Sequence, residues 1–162
     1  MNIFVLDENP QICASFHCDK HVCKMIVETA QMLCTAHHML QPVDDIPYKK
    51  THVNHPANVW IRHSYENYTW LLNLGVALLD EYTKRYNRVH KTTNVIRWLI
   101  KHKLSKDVFH IHKRTPFVLC MPDEYKTNDA VASYRNFYIG AKSSFAKWKC
   151  GNVPEWFGEL KC

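Results

Sequence analysis

The stretch HCDKHVCKMIVETAQ, His17 to Gln31, decides what kind of chain this is. Six of its residues are ionisable, yet the positions between them are apolar, and no Gly or Pro interrupts the run. Stepping about 100° per residue gathers His17, Lys20, His21, Lys24, Glu28, Gln31, Thr35 and His38 into one arc. Val22, Met25, Ile26, Ala30, Leu33, Ala36 and Leu40 occupy most of the remaining circumference. A helix apolar around more than half its girth is buried, so the polar stripe is expected to face a cleft.

Working outward, NIFVL before this segment reads as a short apolar strand. Asp7-Glu8-Asn9-Pro10 ends it, with Asn9 placed to cap a helix and Pro10 to begin its first turn. Helical periodicity then runs to about Leu40. Gln41 to Asn54 is a polar connection, after which His55-Pro56 opens a longer helical pattern reaching Tyr86. Its solvent stripe is Arg62, Glu66, Thr69, Asn73, Asp80 and Lys84. Thr92 or Thr93 caps a third helix through Ile100. Lys101 to Tyr125 is irregular, with two β-like runs, Val108 to Ile111 and Pro116 to Cys120, able to pair with the N-terminal strand. Asn128-Asp129 caps a last helix ending near Lys149, and Val153 to Phe157 forms an aromatic clasp. The expectation is a single mainly α domain over residues 1–162 with at most a small sheet.

Length and charge narrow the partners. A chain of 162 residues can bury one substantial core. The formal charge of +6 and pI near 8.9 favour an anionic partner, a nucleotide or nucleic acid. Seven cysteines without a C-x-x-C pair read as reduced thiols. No apolar run of about 18 residues and no signal-like start occurs, so the expected location is the cytoplasm, with no membrane partner.

Within this frame His17, His21, Lys24 and Glu28 are the candidate catalytic group. Two imidazoles can exchange a proton with a nucleophile and a leaving oxygen, a lysine can hold phosphorane charge, and Glu28 can orient a histidine. Asn54 and His55 flank the free N–H groups of a helix start, a position that favours anions. His63 and Asn67, at i and i+4 among Trp60, Trp70 and Leu71, read as the opposite wall of the cleft or as paired core groups. Arg135, Tyr138 and Lys142 run along one helix edge, where cations and a ring suit a phosphate with an attached base. No metal or other cofactor is expected: Lys24 follows the histidine pair by one turn, and H-E-x-x-H is absent.

The segments MNIFVLD, HCDKHVCKMIVETAQ, NHPANVWIRHSYENYTWL, TPFVLCMPDEYK and AVASYRNFYIGAKSSFAKW resemble a family of small proteins encoded by tailed bacteriophages. The likeness covers most of the chain and implies a host-cytoplasmic setting, but brings no single activity with it. It implies either DNA processing or the disabling of nucleotide signals used in host defence. The favoured expectation is metal-independent phosphodiester cleavage of a nucleotide signal of host defence, of which a cyclic dinucleotide is one case. The alternatives are a DNA base-modifying or glycosylase-like enzyme, and a sponge that binds a nucleotide without cleaving it.

Overall fold

Asn9 starts the first helix as its side chain predicts, accepting from the N–H groups of Gln11 and Ile12 with Pro10 behind it. In the computed structural model, which describes residues 1–149 and 153–158, this helix, α1, spans Pro10–Phe16. It is followed by α2 (Asp19–Leu40), α3 (Pro56–His63), α4 (Tyr65–Tyr86), α5 (Thr93–Lys101), α6 (Ala130–Lys142) and the short α7 (Glu155–Gly158). The chain is therefore mainly α. No helix among the described residues is long and apolar enough to cross a membrane.

Two predicted helices are each split in the structure. The first breaks at His17-Cys18, where His17 takes an extended conformation (φ −63°, ψ 134°) as the C-cap of α1. The second breaks at Ser64 (φ −145°, ψ 145°), whose hydroxyl accepts from the Glu66 N–H and so caps α4. Both breaks are held by tertiary partners. Ser64 donates to the Lys113 carbonyl, and Tyr65 N donates to Ile111 O. α4 ends at Asn87 in the left-handed region (φ 50°), a conformation Asn tolerates. α6 stops at Lys142, well before the predicted Lys149.

The expected sheet does not form. Among the described residues there is no β-strand, only an isolated parallel bridge between Ser64 and Ile111. Residues 3–6 are nonetheless buried, with Leu6 N donating back to Phe4 O, and side chains complete their backbone bonding. The Cys13 thiol donates to Phe4 O at 3.2 Å and accepts from Leu6 N, while Arg135 Nε donates to Leu6 O at 2.9 Å. Burial pushes the Cys13 thiol up to about 12, so it stays a neutral donor. The β-like run 116–120 is pinned in the same way. Trp60 Nε1 donates to Pro116 O, Tyr134 donates to Val118 O, and Cys120 N donates to the Tyr134 hydroxyl.

α2 and α4 form the centre, with α1 and α5 on α4 and α3 against both. Gly75 permits the close crossing: a Cβ there would stand 3.1 Å from Thr29 Cγ2 and 3.2 Å from Ile96 Cδ1. Cys13, Cys18, Cys23, Cys34 and Cys120 are free, while Cys150 and Cys162 lie outside the described residues. Trp156 of α7 packs edge-on against Phe16 and Tyr138.

One buried cation fastens the α1–α2 break. Arg85 donates from Nε to Glu81, from Nη1 to Asp19 and the His17 carbonyl, and from Nη2 to the Ser15 carbonyl. Its side chain is only 1% exposed. Removing it leaves Asp19 and the end of α1 without this partner, and Glu81 with only the exposed Lys84 at 3.9 Å. Arg85→Ala is expected to lower unfolding free energy by about 3–5 kcal/mol, read from urea midpoints at neutral pH. A loss below 1 kcal/mol would mean the triad is incidental to the fold.

Candidate active site

The predicted polar arc is rearranged by the break before α2. His17 belongs to the end of α1 and is fully buried, its Nδ1 donating to Cys13 O at 2.7 Å. His21 is 6% exposed and stacks on Phe4 with ring centroids 4.5 Å apart. Desolvation brings His17 down to about 4, assisted by the Arg85 charge. It brings His21 to about 3, with His17, Lys142 and Lys24 adding repulsion. Both imidazoles are enclosed by protein rather than open to a substrate phosphate. The space between this side of α2 and α6 is filled by Phe4, His21, Phe137 and Tyr138, so the two rings sit in packed aromatic surroundings rather than along the open cleft the polar arc suggested.

The proposed substrate edge of α6 is likewise structural. Tyr138 is fully buried, with its hydroxyl accepting from Cys18 N. Arg135 lies between Phe16 and Trp156, 5.5 and 5.3 Å from their centroids, while it bonds Leu6 O and Asp7. Lys142 sits over Phe137 and Phe4. Asn67 is a satisfied core amide: it donates to Trp60 O and Thr115 Oγ1 and accepts from Thr115 N. His63 is exposed at the end of α3 rather than facing the polar side of α2.

Lys24 and Glu28 belong to a different arrangement, one that the helix pattern did not reveal. Glu28 is recessed, its side chain 12% exposed, and pairs with Lys24 Nζ at 3.2 Å. Its Oε2 accepts from Asn2 N at 3.0 Å and stands 3.8 Å from the Met1 α-amino nitrogen. The Met1 side chain is 3% exposed, and its sulfur accepts from Asn58 Nδ2 at 3.3 Å. Asn2 is fixed in turn, its Nδ2 donating to Cys120 O at 2.8 Å. A carboxylate, an amine and an ammonium are thus assembled where the buried N-terminal segment meets α2.

The loop before α3 forms the rim. His38, Thr35, Asn58 and Arg62 hold the loop at Tyr48, Thr51, His52 and Val53 through side-chain hydrogen bonds. His52 takes φ 47°, reversing the chain there. Thr35 and His38 lie about two and three turns beyond Glu28 on the same side of α2. Lys49 and Lys50 are exposed on this loop, between its anchor points at Tyr48 and Thr51. Asn54 is exposed, and His55 caps α3 by accepting from Ala57 N.

Two larger clefts lie elsewhere. One of about 500 Å³ lies between Arg114–Phe117 and the start of α6, and another of about 630 Å³ runs beside Glu66, Trp70 and Arg114. Neither is lined by Met1, Glu28 or His55. Among the described residues no group of three or more His, Cys, Asp or Glu side chains is placed to hold a metal.

The fold and this site define a class: a helical protein with an α-amine and a recessed carboxylate paired on a basic face. The chain belongs to the pyrimidine dimer DNA glycosylase family, whose profile matches residues 1–94, the span that contains Met1, Glu28, His55 and Asn58. No curated protein and no solved structure matches it. Of the sequence expectations, the DNA glycosylase alternative has this family behind it; the cyclic-dinucleotide reading has none.

The buried histidines make a measurable prediction. Unfolded histidines titrate near 6.5, whereas His17 and His21 in the fold bind protons only near 4 and 3. Below about pH 6.5 the unfolded chain takes up more protons, so stability falls as pH drops. His37, lowered to about 4, acts in the same direction. His17 and His21 alone should give a slope near two protons, about 3 kcal/mol per pH unit between pH 6 and 5. Urea midpoints across that range check it, and a flat profile would refute the burial of both rings.

Proposed function

We propose that this protein is a DNA glycosylase acting on a damaged pyrimidine in duplex DNA, with the Met1 α-amine as nucleophile and Glu28 as its charge partner. The observation that carries this reading is the amine held 3.8 Å from a recessed carboxylate by a buried Met1 side chain. Family membership supports the substrate class. The exposed Lys24 beside Glu28, and the exposed Lys49 and Lys50 on the loop that α2 and α3 hold, support backbone contact with DNA.

The chemistry follows from the groups present. α-Amino groups as a class give up a proton more readily than lysine side chains, so they reach the nucleophilic form nearer neutrality. The amine nitrogen donates its electron pair to the sugar C1′, the C1′–N1 bond breaks, and its electron pair leaves with the base. The proton lost by the amine neutralises the departing base. The sugar ring then opens: O4′ takes a proton from solvent as its bond to C1′ breaks, and the amine nitrogen's electron pair forms the C=N bond of a protonated iminium between C1′ and the protein. Glu28 stabilises the positive charge that builds on C1′ and on the nitrogen, a contribution that grows toward the transition state.

Borohydride reduction tests this directly, because it converts an iminium into a permanent protein–DNA adduct. The probe is a duplex carrying one cyclobutane thymine dimer, with an undamaged duplex as control and intact mass confirming a free Met1 amine. The expected result is an adduct only with the damaged duplex, lost when a Gly-Ser-Gly extension precedes Met1. Glu28→Gln should slow single-turnover excision by about 10²-fold or more, with little change in duplex affinity. Equal trapping by the extended protein would remove Met1 from the mechanism.

A further inference from the structure

The N-cap of α3 is a histidine of fixed tautomer, on the helix whose Asn58 touches the Met1 side chain. His55 Nδ1 accepts the Ala57 N–H at 3.2 Å. A ring nitrogen that accepts carries no proton, so the neutral ring's proton sits on Nε2. The ring is half-buried at a helix N-terminus, where positive charge is unfavourable. Burial lowers its proton affinity, the Met1 ammonium and His52 lower it further, and Glu28 alone opposes them. Asn58, three residues along the same helix, touches the Met1 sulfur at 3.3 Å. His55 is therefore a neutral N–H donor at the edge of the proposed reaction centre.

We propose that His55 Nε2–H hydrogen-bonds a carbonyl oxygen of the departing pyrimidine and holds the charge that develops as the glycosidic bond breaks. The inference rests on the glycosylase reading above. The electron pair of the C1′–N1 bond passes to N1 and spreads onto the base carbonyls, so a donor aimed there strengthens during the reaction. His55 keeps its proton throughout, because its other nitrogen is occupied by the helix. Neighbouring donors are already committed: Asn58 Nδ2 to the Thr51 and His52 carbonyls, and Asn2 Nδ2 to Cys120 O.

Two cap-preserving substitutions separate this role from helix capping. Asn and Asp both accept from a helix N–H, but only Asn carries N–H donors. His55→Asp is expected to melt like the wild type and to bind the dimer duplex with similar affinity. Its single-turnover excision should fall by about 10²–10³-fold, and His55→Asn should recover most of that loss. A duplex with an abasic site supplies the control. There the base is already gone, so borohydride trapping by His55→Asp should match the wild type. Full excision by His55→Asp, or a parallel loss of abasic-site trapping, would overturn the assignment. Failure of the wild type to trap on either duplex would instead sink the glycosylase reading, and this inference with it.

Discussion

The Arg85 guanidinium is the constraint on which the other elements depend. α1 ends with carbonyls that have no helical partner, and two of the groups Arg85 bonds, Ser15 O and His17 O, lie at that end. Glu81, one turn back on α4, and Asp19, the first residue of α2, supply the counter-charges. A single planar cation thereby fixes the end of one helix, the start of the next and the helix that crosses both. With the start of α2 fixed, its rotation is fixed, and the direction of every side chain along it follows. Glu28, nine residues on from Asp19, is aimed at the N-terminal segment for this reason.

The second requirement is that residues 1–6 run through the interior without a sheet. Buried backbone polar groups need partners, and here a thiol, an arginine and an asparagine side chain provide them where neighbouring strands ordinarily would. The arrangement leaves the amine at the end of a buried segment anchored by its own first side chain. Asn67 contributes from a distance. By binding Thr115 it steadies the segment that ends at Cys120, whose carbonyl holds Asn2.

Charge is sorted by depth. Imidazoles enclosed with Phe4 stay neutral, because burying an isolated charge among aromatic rings is costly. The groups left to act on a substrate lie at the boundary: Lys24 in solvent, Glu28 recessed, His55 half-buried on a helix end. A face of this kind suits a large polyanion better than a small molecule, which binds best where a concave pocket surrounds it.

The sequence by itself determined the helical class, the Asn9–Pro10 start, the Asp129 cap and the candidacy of Lys24, Glu28 and His55, because caps and 3.6-residue periodicity are local properties. It could not show that two long periodic runs are broken at His17-Cys18 and Ser64, since those breaks are stabilised by Arg85 and by residues 111–113 from far along the chain. That is why His17 and His21 read as a reactive pair: on one unbroken helix they would share a face, and after the break both turn inward. Nor could it show that NIFVL lacks a strand partner, because a short apolar run looks the same whether a strand or a thiol completes its hydrogen bonds. The pairing of Met1 with Glu28 was beyond reach for the same reason. Twenty-seven positions separate them, no periodicity links them, and only the packing of the N-terminal segment against α2 brings the amine to the carboxylate.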